Sequence, residues 1–448
     1  MDNTPSYNLS TETPSDLAKP KPGAILLLKE IWKDFRQEKT AFKFICIYLI
    51  FEYLRPHMIY PELDIVPWGK IIMVLTILFI FIDPNSRIPS ISKLIPLLTF
   101  SICVLLSMAY AFYPSAAVDR WSDFFSWFFV ILIILSIVKS KQRLFLFLCV
   151  YFFCNLKMAQ HGFRTWALGG FGFSGWGVTG SPGWFQNSGE FAMEMGMFLP
   201  LVLVYLRAFR EDWSHGTRFF FYLLIIMVVG SIIGCSNRGA IIGLITVGLW
   251  WLLFSQKRIK ALIILISAAS IIYLALPKEF KARFETIGKD TTSIARIAYW
   301  NASLNAIKEN FYLGIGFKNW PIWVSSKHPE LKDFDPWGRI IVLHNTYLEV
   351  ATELGLFGTS AFVLILLQIF FINLRSIRIS REQKDPFLEA TAKGLIGSLL
   401  AYLAPSFFMS VLYYPYVWIL LALSICVSSV LQQKKLELGV NHLTGNYR

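Results

Sequence analysis

The chain has 448 residues, of which 55% are hydrophobic and 16% are charged. This composition excludes an ordinary soluble enzyme and predicts an all-α, polytopic membrane protein. The formal net charge of +13 does not indicate a nucleic-acid partner, because the basic residues form short clusters between apolar runs, as cytoplasmic membrane loops do.

The two ends of the chain are more polar than its middle. Residues 1–22 are rich in Pro, Ser and Thr and show no signal peptide, which predicts a disordered cytoplasmic tail. In residues 23–43, apolar and basic side chains recur at helical spacing, as Trp32 and Lys33 illustrate, so we expect an amphipathic helix on the inner leaflet. Residues 432–448 form a second cytoplasmic tail.

About twelve apolar runs approach the length that a bilayer demands, about 17 to 25 residues each. The predicted spans are 43–56, 66–82, 93–112, 121–138, 143–160, 189–207, 218–235, 239–255, 260–276, 346–373, 389–410 and 413–431. We assign residues 44–276 to the first nine transmembrane helices and residues 346–431 to the last three. Lys and Arg cluster in alternate loops, which predicts that both termini are cytoplasmic and that residues 277–345 lie outside.

The first long outer segment is residues 161–188, and long connections in membrane bundles tend to carry function. It combines Arg164 with repeated glycines and with Trp166, Trp176 and Trp184. Tryptophan rings pack against sugars, but they also belt membrane interfaces, so both interpretations stay open.

The second long outer segment, residues 277–342, carries its own helical pattern. Its predicted apolar stripe consists of Ile297, Trp300, Leu304 and Ile307, and the glycines of the following Leu-Gly-Ile-Gly end the helix. We therefore expect this segment to form a lid or wall of an outward-facing cavity.

Arg238 lies in a tight hairpin between two predicted spans. An unpaired guanidinium costs about 2.5 kcal/mol or more near the bilayer centre, and less at the interface, so an anion should pair with it. That anion is either a lipid headgroup, a nearby carboxylate such as Glu190, or a bound phosphate or diphosphate, which suits the arginine fork. Arg283 and Arg296 supply further positive charge in the second outer segment.

Glu190 and Glu194 are four residues apart at the start of the sixth predicted span. Acidic side chains at this place complement the positive end of the helix dipole. Glu194, however, falls about one turn inside the membrane, where a carboxylate usually marks a pathway or an ion pair. Both residues are therefore supporting candidates for the site.

Residues 343–358 read LHNTYLEVATELGLFG. Asn345 and Thr346 predict a helix start, which places the imidazole of His344 at the boundary between water and membrane. A single histidine there either fixes a helix end at the headgroups or takes part in chemistry. Together with the outer arginines and aromatic residues, it indicates a site for a lipid-linked, diphosphate-bearing glycan.

The same residues resemble a known family. His344 and Asn345, followed after nine residues by Gly355 and then by Gly358, resemble the His-Asn, Gly-x-x-Gly pattern of the O-antigen ligase and polymerase superfamily of bacterial membrane glycosyltransferases. The similarity is clearest over residues 230–358 and extends to Arg238-Gly-Ala and to the Arg296 to Trp300 helix before Leu-Gly-Ile-Gly. The chain departs from the pattern at Ala361, where ligases often show Gly, Thr or Gln.

The resemblance implies a GT-C-like enzyme of the bacterial inner membrane with its site facing the periplasm. An undecaprenyl-diphosphate-linked glycan would be the donor, and lipid A-core or another glycan the acceptor. His344 would orient or deprotonate the acceptor hydroxyl in a single inverting displacement, while Arg238 and Arg296 would stabilise the leaving diphosphate. The implied substrate-binding residues are Arg283, Arg164, Asn345, Glu190, Glu194 and Trp300.

We expect no metal and no cofactor. The six cysteines lack metal-ligand spacing, and the chain contains no Walker motif, dinucleotide fingerprint or His-Glu-x-x-His. Ligase activity is the preferred function. A polymerase or a protein O-oligosaccharyltransferase of the same fold would differ only in the acceptor. A lipid-linked sugar transporter is the alternative from another class, but the sequence shows no repeat, and its polar features gather outside.

Overall fold

The computed structural model describes residues 24–172, 177–255, 257–275, 291–334 and 342–444, and within these ranges all regular elements are helical. The predicted all-α fold is therefore confirmed. We number the α-helices α1 to α17 in chain order: Ala24–Gln37, Thr40–Tyr53, Pro56–Ile59, Trp68–Ile80, Ile91–Ala109, Pro114–Asp119, Ser122–Ile137, Lys141–Leu168, Ser188–Phe209, His215–Gly234, Arg238–Phe254, Arg258–Ala275, Thr291–Glu309, Trp320–Lys327, Thr346–Glu382, Pro386–Leu403 and Pro415–Thr444.

Eight candidate membrane spans occur in the described part of the chain. Two further apolar helices, α4 and α11, are shorter. The polytopic membrane architecture is thus confirmed. The count of twelve spans is not confirmed, although each predicted span overlaps a helix.

The centre of the bundle is formed by α9 and α17, since 83% of the most apolar stretch of each is buried. Helix α9 packs closely against α16, where Gly397 faces Pro200. A Cβ added at Gly397 would lie 2.5 Å from the Cβ of Pro200. In lipid there is little hydrophobic driving force for helix association, so close packing has to stabilise the contact. Small residues such as glycine allow the two helices to approach closely enough for this packing.

The end of α8 differs from the sequence prediction. Helix α8 continues to Leu168, whereas the predicted span ended at residue 160 and the outer segment began at residue 161. Polar and aromatic residues such as His161 and Trp166 are compatible with a helix once it has left the apolar layer. Arg164 is consequently a helical residue and does not belong to a loop.

The end of the bundle where α8 begins is fixed by buried ion pairs. Arg143, which is 2% exposed, donates from Nε to Glu38 at 2.8 Å and contacts Asp83 at 2.9 Å through Nη1. These contacts join the α1–α2 junction, α8 and the turn after α4. The end of α8 and the start of α9 lie at the opposite end of the bundle, which also carries His344.

Helix α13 lies where the sequence pattern predicted a helix, but the apolar stripe is not its buried face. Ile297 and Leu304 are 49% and 45% exposed. The buried face consists instead of Ala295, Tyr299, Ala302 and Ala306, which pack in a second core with Trp320, Trp323, Val324, Leu331 and Leu343. The small alanine side chains allow close approach to this aromatic core, a contact that apolar periodicity alone does not reveal.

Helix α15 is broken at Gly355, which has φ 61° and ψ −159°. The break exposes backbone groups that pair with the Leu-Gly-Ile-Gly segment. Ile315 N donates to Thr352 O at 2.9 Å, and Leu356 N donates to Phe311 O at 2.8 Å. The second core is therefore bonded directly to the membrane helix that begins beside His344.

Candidate functional site

His344 lies immediately before α15. The side-chain Oδ1 of Asn345 accepts hydrogen bonds from the backbone nitrogens of Tyr347 and Leu348, both at 3.0 Å. The predicted helix start is thus confirmed. His344 itself has φ 51°, a left-handed conformation that is uncommon for a residue with a side chain and often accompanies function.

The backbone before His344 is fixed by Trp300 on α13. The indole Nε1 of Trp300 donates to Leu343 O at 2.9 Å. Arg296 lies one turn earlier on the same helix. Helix α13 therefore fixes the backbone next to His344 and carries the Arg296 side chain one turn before Trp300.

The imidazole of His344 is held neutral. Its pKa is lowered to about 4, mainly because burial disfavours the charged form and secondly because Arg296 repels it. With this lowered pKa the imidazole is unprotonated near neutral pH, so a ring nitrogen can accept a hydrogen bond from a bound hydroxyl. Glu190 lies in the first turn of α9, where its backbone oxygen accepts a hydrogen bond from Tyr416 Oη at 2.8 Å.

Arg238 is the first residue of α11, and the preceding Asn237 caps that helix by accepting from Ala240 N at 3.3 Å. The cap lies against the start of α9. Gly189 packs so closely on Asn237 that a Cβ added to this glycine would lie 2.9 Å from Asn237 Nδ2. A guanidinium at a helix N-terminus adds its charge to the positive end of the dipole, which favours an anion.

Met409 connects the α11 cap with the start of α15. Its sulfur would lie 3.3 Å from a Cβ at Gly189, and its carbonyl oxygen accepts a hydrogen bond from Thr346 Oγ1 at 2.6 Å. The turn that contains Met409 therefore brings the Arg238 and His344 regions to the same end of the bundle.

Sequence reasoning missed two buried carboxylates, Glu349 and Glu353, which are 7% and 2% exposed. The Oε2 of Glu353 accepts from Tyr413 Oη at 2.9 Å and from Lys318 N at 3.0 Å. The ammonium of Lys318 in turn lies 4.2 Å from the centroid of the Tyr413 ring. Two acids four residues apart in an apolar helix were the signal that could have identified this cluster.

The remaining predicted site residues are placed differently. Arg283 lies outside the described residues. Arg164 is exposed on α8 and makes no hydrogen bond or ion pair with another described residue. Glu194 is fully buried in the bundle, where its Oε1 accepts from Tyr151 Oη at 2.8 Å. Their roles in substrate binding stay predictions, as do those of the other site residues.

Within the described ranges, no group of three or more His, Cys, Asp or Glu residues is arranged to hold a metal ion. What the arrangement offers is a neutral imidazole, a nearby guanidinium from α13, and a second guanidinium at the N-terminus of α11. Such a set can bind an anion and accept a proton from a hydroxyl beside it.

Comparisons with known proteins agree with the residue patterns. Residues 221–363 match the family model described as O-antigen ligase. The chain is also 30% identical over 115 residues to the exopolysaccharide production protein ExoQ of Rhizobium meliloti (strain 1021). That match covers 25% of this chain and 26% of ExoQ, so it spans about a quarter of the relative's length. The resemblance to the O-antigen ligase and polymerase superfamily is thereby confirmed, and a membrane glycan ligase or polymerase is supported.

Proposed function

We propose that this chain is an inverting, metal-independent membrane glycosyltransferase. The premise is that residues 221–363 belong to the O-antigen ligase and polymerase superfamily. The enzyme moves a glycan from undecaprenyl diphosphate to an acceptor sugar on the periplasmic side of the bacterial inner membrane. The observation that carries the proposal is that the helix bearing Arg296 is hydrogen-bonded through Trp300 to Leu343, next to His344, because the imidazole suits a hydroxyl and the guanidinium a diphosphate.

The reaction is a single displacement. The acceptor hydroxyl oxygen forms a bond to the anomeric carbon, and the bond between that carbon and the diphosphate oxygen breaks. His344 orients the hydroxyl and takes its proton, which then passes to solvent. Arg238 and Arg296 stabilise the negative charge of the departing lipid diphosphate. Inversion at the anomeric carbon follows from attack opposite the leaving group.

The acceptor distinguishes a ligase from a polymerase. Ligation to lipid A-core is favoured by the His-Asn and Gly-x-x-Gly spacing and by the family model. Polymerisation of lipid-linked repeats is the second candidate, because Ala361 departs from the ligase pattern. The ExoQ relative is named for exopolysaccharide production.

Product analysis separates these activities. Purified protein is given an undecaprenyl-diphosphate-linked glycan and lipid A-core, without ATP or added metal. Glycosylated lipid A-core is the expected product. If donor glycans are joined to one another instead, the protein is a polymerase and not a ligase. Movement of lipid-linked sugar across a vesicle membrane without a new glycosidic bond would contradict the glycosyltransferase and favour a transporter.

We expect the acid limb of kcat/KM for transfer to lie near pH 4, well below the ordinary histidine value of about 6.5. Protonation of His344 removes the base, so activity falls as pH decreases through this limb. The limb of kcat should lie at higher pH, because bound diphosphate offsets the charge of Arg296 and raises the pKa of His344. Rate profiles at limiting and saturating donor test both points. A kcat/KM limb at about 6.5 would contradict the burial and repulsion described for His344.

Trp300→Phe removes the indole donor while keeping an aromatic ring. We expect kcat to fall by roughly 10-fold, since losing a hydrogen bond to a buried carbonyl costs about 1–3 kcal/mol and loosens the residue before His344. Steady-state kinetics measure the effect. The matched control is Trp68→Phe, which removes an indole hydrogen bond to Leu63 O, 2.6 Å long, outside the site. An equal fall in kcat in both variants would show that Trp300 has no specific positioning role.

A further inference from the structure

Three side chains from separate turns form an aromatic shelf, which we define as Arg55, Trp184 and Tyr414. Arg55 follows α2, Trp184 precedes α9, and Tyr414 precedes α17. The rings of Trp184 and Tyr414 have centroids 4.9 Å apart and planes inclined at 63°. The guanidinium carbon of Arg55 lies 5.1 Å from the Trp184 centroid. The Trp184 ring also lies 5.8 Å from that of Trp127, and Trp184 and Tyr414 are both partly exposed, so the shelf combines two partly exposed rings with one cation.

The shelf is rigidly supported. The indole Nε1 of Trp184 donates a hydrogen bond to Glu52 Oε1, which fixes the plane of the ring. Gly183 has φ 83°, and a Cβ there would lie 2.0 Å from Nη1 of Arg55, so only glycine lets the guanidinium lie against this backbone. Tyr414 stacks on the buried Tyr416 with centroids 5.9 Å apart and planes within 7°. Rigid aromatic surfaces bind with little loss of side-chain entropy.

Arg55 has unused hydrogen-bonding capacity. A guanidinium carries five N–H donors. In the described structure, Arg55 forms an ion pair with Glu52 through Nη2 at 3.5 Å, and its Nη1 donates to the sulfur of Met58 at 3.5 Å. Its side chain is 20% exposed, and its backbone has φ 46°, an uncommon conformation for a residue other than glycine. The guanidinium therefore keeps N–H donors that these two contacts do not use.

The shelf adjoins the candidate site through Tyr416 and Glu190. The hydroxyl of Tyr416 donates to Glu190 O at 2.8 Å, and Tyr416 stacks on Tyr414. Gly189, the residue before Glu190, packs against the Asn237 cap and against Met409, whose carbonyl oxygen accepts a hydrogen bond from Thr346 Oγ1 at 2.6 Å. A saccharide on the shelf would thus lie beside the residues that surround His344.

We propose that the shelf is the acceptor subsite, where a sugar ring packs on Trp184 and Tyr414 and a phosphate or carboxylate on that saccharide faces Arg55. The inference rests on the proposed glycosyl transfer and deepens it. A displacement needs an acceptor held separately from the leaving diphosphate, for which Arg238 and Arg296 already provide charge. Sugar rings present apolar C–H faces to aromatic rings, and a guanidinium pairs with phosphate or carboxylate.

Acceptor kinetics test the shelf with phosphorylated core oligosaccharide and its dephosphorylated form as probes. Tyr414→Leu should raise the acceptor KM roughly 5- to 10-fold for both probes, because it removes one aromatic face. Arg55→Gln should raise it by a similar factor for the phosphorylated probe alone. Donor KM should stay within about two-fold in both variants. Trp213→Leu, at the opposite end of the bundle, is the matched control, and melting temperatures report folding.

Unchanged acceptor KM in both folded variants, or a rise in donor KM instead, would overturn the shelf as acceptor subsite. Equal effects of Arg55→Gln on the two probes would overturn the assigned anion. Saturation-transfer NMR with the phosphorylated oligosaccharide and His344→Asn protein keeps this test independent of turnover. Saturable binding that weakens with Tyr414→Leu supports the shelf even if transfer itself is absent. Absence of saturable binding contradicts it.

Discussion

Replacing His344 by Asn is expected to lower glycan transfer by roughly 10³-fold, since a positioned general base contributes about 10²–10⁴-fold. Asn is the informative substitution because it tolerates the left-handed backbone that His344 adopts at φ 51°. The variant should therefore insert into the membrane and melt near the wild-type temperature. His344→Ala should be equally inactive, with more strain at this backbone position. Transfer rates and melting curves of purified protein measure both effects.

The matched control for this variant is His328→Asn in the same outer region. His328 packs near Trp323 and contacts Glu330 at 3.1 Å, and neither neighbour belongs to the candidate site. We expect its transfer rate to stay within about two-fold of wild type. If His344→Asn retained wild-type turnover, the role of His344 as base would be excluded; if both variants lost activity equally, the loss would reflect the outer region as a whole.

Replacing Gly355 by Ala is expected to destabilise the protein by about 2–5 kcal/mol and to abolish transfer. The positive φ of 61° costs a residue with a Cβ about 1–2 kcal/mol, and overpacking adds about 1–3 kcal/mol. The new Cβ would lie 2.5 Å from backbone atoms of Tyr312 and Gly314, which cannot rotate away. The break in α15 would then lose its pairing with the second core.

Gly196→Ala provides the comparison for that change, because a Cβ at Gly196 on α9 meets no atom within 4 Å. Alanine also stabilises a helix interior relative to glycine, so the melting temperature of Gly196→Ala should equal or exceed that of wild type. Melting temperatures and transfer rates of both variants in the same detergent decide the point. Equal stability of Gly355→Ala and Gly196→Ala would show that the backbone contact at residue 355 is unimportant.

The local parts of the site could be predicted from sequence. Asn345 is a typical helix cap, and the structure confirms that it caps α15. The tight hairpin around Arg238 is likewise a local feature, since α10 ends at Gly234 and α11 starts at Arg238. Both features depend on side chains that hydrogen-bond to the backbone of residues nearby in the chain. A short stretch of sequence therefore contains both partners.

The long-range parts could not be predicted. The hydrogen bond from Trp300 to Leu343 joins residues 43 positions apart, and the shelf unites turns that precede and follow distant helices. The buried face of α13 could not be inferred from its apolar stripe, because small alanines, rather than Ile297 and Leu304, meet the aromatic core. Nothing in the Gly-x-x-Gly spacing indicates that Gly355 breaks α15 to pair with residues 311–316. Such contacts depend on partners far away in the chain.

The most direct test of glycosyl transfer is to follow both products of one turnover. Purified protein, a lipid-diphosphate-linked glycan and excess acceptor are mixed in detergent without ATP, and released lipid diphosphate and glycosylated acceptor are quantified together. We predict one lipid diphosphate released for each new glycosidic bond, with the anomeric configuration inverted. Lipid diphosphate released without glycosylated acceptor or joined donor glycans, or a retained anomeric configuration, would contradict the single displacement assisted by His344.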